Sequence, residues 1–97
     1  MEEFVRGDIV IVPFPFTDLT KLKRRPSLVL AKVKEDVILC QVTSKLNNDP
    51  LGIFLENEDT ILRSLIASSM VKPYKIFTLK ESLVDYKIDQ LSKIKIK

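Results

Sequence analysis

Short runs of β-branched and aromatic residues, each stopped by proline or by a polar turn, dominate this chain, and no long apolar stripe of helical period occurs in it. Residues 5–16 carry Ile9-Val10-Ile11-Val12 and then Pro13 and Pro15, which remove ladder donors, so a strand there must end or run along an edge. Residues 26–33 and 36–44 are two further strand candidates around the polar tip Lys34-Glu35, the clearest hairpin of the sequence. Both arms are apolar at successive positions, as in strands buried on both faces. Many short strands without a long amphipathic helix predict a mainly β fold, a small barrel or sandwich. With only two glycines, its turns cannot all be tight glycine hairpins.

The second half is less regular. Asn47-Asn48-Asp49-Pro50 reads as a turn or mobile loop, residues 52–55 as a short strand, and residues 56–60 as an acidic turn. Residues 61–67 lean to strand or short turn. Residues 70–73 and 75–78 read as two strand pieces broken at Pro73, and residues 81–84 as a single helical turn. Ile88, Leu91 and Ile94 recur at a spacing that suits a short helix, although alternation towards the end also permits an extended tail.

A chain of 97 residues supports one core and little more, so residues 1–97 are expected to form a single domain that gains from a partner chain. Hydrophobic residues at 45% and charged residues at 30% place it among folded globular proteins. Cys40 is the only cysteine, which excludes an intramolecular disulfide, and its neighbours Ile38, Leu39 and Val42 make it a small buried hydrophobe. The absence of histidine excludes His-based metal sites, catalytic triads and the two-histidine ribonuclease arrangement. An acidic start, Met1-Glu2-Glu3, is unlike a secretory signal, and no apolar run approaches the roughly 20 residues of a membrane helix, so a cytoplasmic location without membrane contact is expected.

The net charge of +3 is compatible with an anionic partner, and its distribution says more. Lys21, Lys23, Arg24 and Arg25 form one basic cluster, and Arg25 stands at the mouth of the second strand. If the hairpin reverses at Lys34-Glu35, counting outward along both arms brings Arg25 opposite Ser44, with Thr43 one residue away. Gln41 and Thr43 share a face with Val37 and Leu39, and Lys45 continues the alternation. Polar groups thus collect where the apolar ladder ends, beside a cationic loop. An arginine fork next to hydroxyl donors is suited to a phosphate. Phe14, Phe16 and Phe77 have the chemistry to stack on bases, but buried core is the better reading for them.

Gly7-Asp8, Phe14-Pro15-Phe16-Thr17-Asp18-Leu19, Arg24-Arg25-Pro26, Gln41-Val42-Thr43-Ser44 and the block from Ser69 to Pro73 occur in an order that resembles the PemK/MazF family of toxin ribonucleases. The resemblance implies an SH3-like barrel of the CcdB/MazF/Kid type with one or two short helices, and a homodimer. It implies an endoribonuclease of the mRNA interferase type. Such an enzyme cleaves single-stranded RNA sequence-selectively by 2′-hydroxyl attack, leaving a cyclic phosphate and a 5′-hydroxyl, with no metal or other cofactor. It further implies a cognate antitoxin, with DNA contact expected only through that antitoxin. Within the family pattern Arg25 and Thr43 match the catalytic arginine and threonine, and Lys23, Arg24, Gln41, Ser44, Lys45 and Lys72 are the expected RNA contacts. The Kid-like branch's histidine and Arg-x-Asp are replaced here by a chain without histidine that reads Lys72-Pro73-Tyr74. Two readings of other classes use the same barrel: a CcdB-like gyrase-directed poison, and a catalytically silent RNA-binding or regulatory barrel.

Overall fold

A computed structural model describes residues 3–13, 24–44, 46, 48–56, 59–61 and 69–92. Six antiparallel strands form one curled sheet: β1 (Asp8–Pro13), β2 (Arg24–Val33), β3 (Asp36–Thr43), β4 (Ile53–Leu55), β5 (Ser69–Lys80) and β6 (Tyr86–Gln90). Their order across the sheet is β4-β5-β3-β2-β1-β6, so the predicted hairpin lies at the centre. The expectations for residues 14–23, 57–58 and 62–68, and for Lys45, Asn47 and the last five residues, lie outside the described part.

Strand alternation sends side chains to both faces of the sheet, and each face has its own apolar cluster. One holds Phe4, Val10, Val12, Val29, Val37, Leu39, Phe77 and Val84. The other holds Ile9, Leu28, Cys40, Val42, Leu55, Val71 and Leu91. This is why the arms of the hairpin read as apolar at successive positions. Phe77 and Cys40 are core residues, as their neighbours indicated, and burial pushes the Cys40 thiol up to about 11.

The turns are built by different means. At the hairpin tip Lys34 takes a φ of 57°, a left-handed conformation that costs a residue with a Cβ. Gly7, at φ 97°, makes the entry to β1, where its N–H donates to Val29 O at 2.9 Å and its carbonyl accepts from Leu91 N–H at 2.8 Å. Asp8 beside it is buried and accepts from Val5 N–H at 2.9 Å, while Lys87 approaches its other oxygen to 3.3 Å. The acidic turn expected at residues 56–60 is closed by Asp59, whose carboxylate accepts from Glu56 N–H at 2.8 Å.

Two expectations are corrected. Pro73 does not break a strand: between Cys40↔Ile76 and Gln41↔Lys72 the ladder skips residues 73–75, so the proline sits where no donor to β3 is needed. Residues 86–90, where the spacing suited a helix, form β6, because pairing with β1 satisfies their backbone, with Ile88 as the extra residue between Ile9↔Asp89 and Val10↔Lys87. The helical turn at 81–84 is present as the 3-10 turn Glu81–Leu83.

Candidate functional site

The hairpin register decides how the candidate residues meet. Val33 pairs with Asp36, as counting from the turn predicts, but Leu30 is an extra residue on β2, so that Val29 pairs with Leu39 and Ser27 with Gln41. The same offset, carried two residues further, sets Arg25 level with Thr43 and not with Ser44. Directly opposed residues lie about 4.5–5.5 Å apart. A bulge is invisible to a count along the sequence, and here it shifts the hydroxyl opposite Arg25 by one residue.

Two rows therefore cross one face of the sheet. The first takes in the pairs Val12–Arg25 and Thr43–Met70, which flank the end of the β2–β3 ladder; the second runs paired throughout, through Val10, Ser27, Gln41 and Lys72. Both continue the face of Val29, Val37 and Leu39, and they begin where its apolar ladder ends. Arg25 is half-buried and Thr43 buried, each engaged in interactions of its own. Such confinement limits the rotamers available to both groups and favours a fixed donor array.

The second row contains a residue that sequence reasoning missed. Ser27 is fully buried, and its Oγ has no hydrogen-bond partner among the described residues; the same holds for Oε1 of Gln41, its cross-strand neighbour. Buried polar atoms are normally paired, so two adjacent exceptions mark a locally polar spot within the sheet beside Arg25. Only the register reveals this, because Ser27 reads in the sequence as a small residue inside an apolar strand.

The remaining candidates are distributed unevenly. Arg24 alternates to the opposite face from Arg25, and its guanidinium donates to Asp85 Oδ2 at 2.8 Å, with 63% of its side chain exposed. Ser44 lies just past the end of β3 and is exposed. Lys72 belongs to the second row, opposite Gln41, with its Nζ 3.6 Å from Asp49 Oδ2. Lys23 and Lys45 lie outside the described residues.

Asp49 reaches this site from a turn that its own sequence specifies. Asp49 stands first, Pro50 second and Gly52 fourth, and the carbonyl of Asp49 accepts from Gly52 N–H at 3.0 Å while its Oδ1 accepts from Leu51 N–H at 3.0 Å. The Tyr74 hydroxyl donates to Oδ2. The bond from Tyr74, then that from Leu51, holds the Asp49 carboxyl below the usual range, and the same bond pushes the Tyr74 phenol up. Among the described residues no group of three or more carboxylate, cysteine or histidine side chains is arranged to hold a metal ion.

No curated protein matches the chain by sequence. Among solved structures, an endoribonuclease in complex with its cognate antitoxin, from a mycobacterial species, has a similar fold: the TM-score is 0.69 over 95% of this chain and 82% of that one, at 12% identity. The family model of the PemK-like, MazF-like toxins of type II toxin-antitoxin systems matches residues 5–97. Nearly the whole sheet, both polar rows included, falls within that match, and the chain belongs to the PemK-like, MazF-like toxins.

Proposed function

We propose that the chain is a sequence-selective, metal-independent endoribonuclease of the mRNA interferase type, acting on single-stranded RNA as the toxin of its pair. The feature that supports this most is the bulge at Leu30, whose offset, carried past the last paired residues Ser27 and Gln41, puts Thr43 and not Ser44 towards the level of Arg25. The mycobacterial structure of similar fold is an endoribonuclease bound to an antitoxin, which supports both the activity and an antitoxin as partner.

In this reading the guanidinium of Arg25 holds two non-bridging oxygens of the scissile phosphate through its forked donors. Attack by the neighbouring 2′-hydroxyl raises negative charge on those oxygens, and the Thr43 hydroxyl donates to one of them. Both contacts strengthen as charge develops, so they lower the barrier more than they tighten ground-state binding. Departure of the 5′ oxygen leaves a cyclic phosphate and a 5′-hydroxyl. Gln41, Ser44 and Lys72, together with Lys23 and Lys45, are the contacts to the flanking RNA in this reading, while Arg24 faces away and is held by Asp85. A homodimer is supported by the edge strand β4, which leaves Ile53 and Phe54 exposed to 46% and 55%.

Purified protein incubated with a long single-stranded RNA in EDTA is expected to cleave it to products bearing 5′-hydroxyls. Arg25→Ala and Thr43→Ala are each expected to lower the rate about 100- to 1,000-fold, as loss of one preorganised donor does. Full activity in both variants would refute the site. Absence of cleavage by the wild type, combined with inhibition of DNA supercoiling, would replace the nuclease reading with a gyrase-directed one.

A further inference from the structure

Lys72 is the cation of the second polar row, yet its charge already has an occupant. Lys72 Nζ lies 3.6 Å from Asp49 Oδ2, both side chains are only 12% exposed, and the Tyr74 hydroxyl donates to that same oxygen. The turn that carries Asp49 does not need these contacts, because it is closed by Gly52 N–H on the Asp49 carbonyl and by Leu51 N–H on Oδ1. Oδ2 is thus left to two donors from β5, an ammonium and a phenol. Such a pair fits any anion that presents an oxygen edge, and a carboxylate and a phosphate offer similar acceptors.

The neighbourhood indicates which anion. Lys72 is level with Gln41, and Gln41 with Ser27, in the row next to Arg25. Thr43 is one strand across from Lys72 and two positions along, a step of about 7 Å at the rise of a β-strand, and Arg25 lies on the strand beyond. Tyr74 lies in the segment that the β3 ladder skips, so its backbone is not held by that strand.

We infer that Lys72 and Tyr74 form a second phosphate subsite, for an RNA phosphate flanking the one held by Arg25, and that Asp49 Oδ2 fills it in the free protein as an internal stand-in. The inference rests on the ribonuclease reading above and adds a gate to it. RNA entering this subsite displaces the carboxylate, so the wild type gains little affinity from Lys72. Asp49 is accordingly a positioning residue that limits the grip of the site on RNA until the chain is correctly seated.

The test is fluorescence anisotropy of a labelled, mixed-sequence 2′-O-methyl oligoribonucleotide, which lacks the attacking hydroxyl and so is bound without being cut. Asp49→Asn retains an acceptor for Leu51 and removes the charge. It is expected to bind about three- to fivefold more tightly than the wild type at low salt, as loss of an opposing surface charge pair allows. Its plot of log affinity against log salt is expected to steepen by about 0.7, one more phosphate contact on a single strand. Lys72→Met in the Asp49→Asn background removes both gains, and Tyr74→Phe there weakens binding again. Asp49→Ser, which also keeps a turn acceptor, replaces Asp49→Asn if thermal melting shows that variant to be unfolded. Equal or weaker binding by the folded, charge-free variant, while Arg25→Ala still slows cleavage of unmodified RNA, overturns the subsite. Undiminished cleavage by Arg25→Ala would overturn the ribonuclease reading itself, and the subsite with it.

Discussion

Gly52 offers a direct way to ask whether the turn before β4 is packed against the row that holds Thr43 and Met70. A Cβ built on Gly52 would lie 2.3 Å from Met70 Sδ, 2.9 Å from Cγ and 3.2 Å from Cε. Ordinary contact begins at about 3.5 Å, so the thioether would have to retreat by about 1 Å. Met70 is 1% exposed, between Thr43 on β3 and Phe54 on β4, and has no open space to enter. Overpacking of this kind costs about 1–3 kcal/mol. Gly7 is the one described glycine with positive φ, so the backbone at Gly52 accepts alanine, and reduced freedom of the unfolded chain returns about 0.4–1 kcal/mol. Gly52→Ala is therefore expected to destabilise by about 1–2 kcal/mol net, read in urea or thermal melts at about 4–8 °C per kcal/mol.

The sign should reverse when the obstacle is removed. Met70→Ala alone costs about 2–5 kcal/mol as a core truncation, but on that background Gly52→Ala should be neutral or stabilising. Because Met70 is the cross-strand partner of Thr43, Gly52→Ala should also slow RNA cleavage by more than its folded fraction explains. Two results would refute the reasoning: a stabilised Gly52→Ala single variant, or the same penalty with and without Met70.

Three further outcomes follow from individual residues. Ser27→Ala removes a buried hydroxyl without a hydrogen-bond partner, so it should raise stability by about 1 kcal/mol while slowing cleavage; a loss of stability would mean that the hydroxyl is satisfied. Lys34→Gly should relieve the left-handed conformation at the hairpin tip and gain about 0.5–1 kcal/mol, measured by the urea midpoint, and an unchanged midpoint would deny the strain. Glu81 accepts Phe4 N–H at 3.2 Å and meets Lys32 Nζ at 3.1 Å, the first contact and then the second holding its carboxyl below the ordinary 4.5. The unfolded chain binds that proton more readily, so the contribution of Glu81 is present above about pH 4.5 and lost as pH falls through the lower folded value. The stability gap between wild type and Glu81→Gln should accordingly narrow from pH 7 to pH 3, and a constant gap would dismiss the charge.

Much of the fold could be read from local chemistry. The hairpin around Lys34-Glu35, the β character of Ile9 to Val12, the Asp49-Pro50 turn, the single helical turn after Lys80 and the burial of Cys40 and Phe77 all depend on residues near one another in the chain. β6 was harder, since apolar residues three apart suit a helix until β1 offers an edge to pair with. Pro73 misled for a related reason: whether a missing donor breaks a strand depends on whether the neighbour strand needs it at that point.

The sequence by itself determined the chemical types available: a permanently charged fork at Arg25, hydroxyls near the end of the next strand, a turn-forming Asp49, and no histidine to share the work. Only the tertiary structure decided which of these meet. An extra residue at Leu30 and a three-residue skip in β5 set the cross-strand register, and register is a property of pairs of strands that no single segment encodes. It carried Thr43, and not Ser44, towards the level of Arg25, sent Arg24 to Asp85, revealed the hidden polarity of Ser27, and placed the Asp49 carboxylate on Lys72.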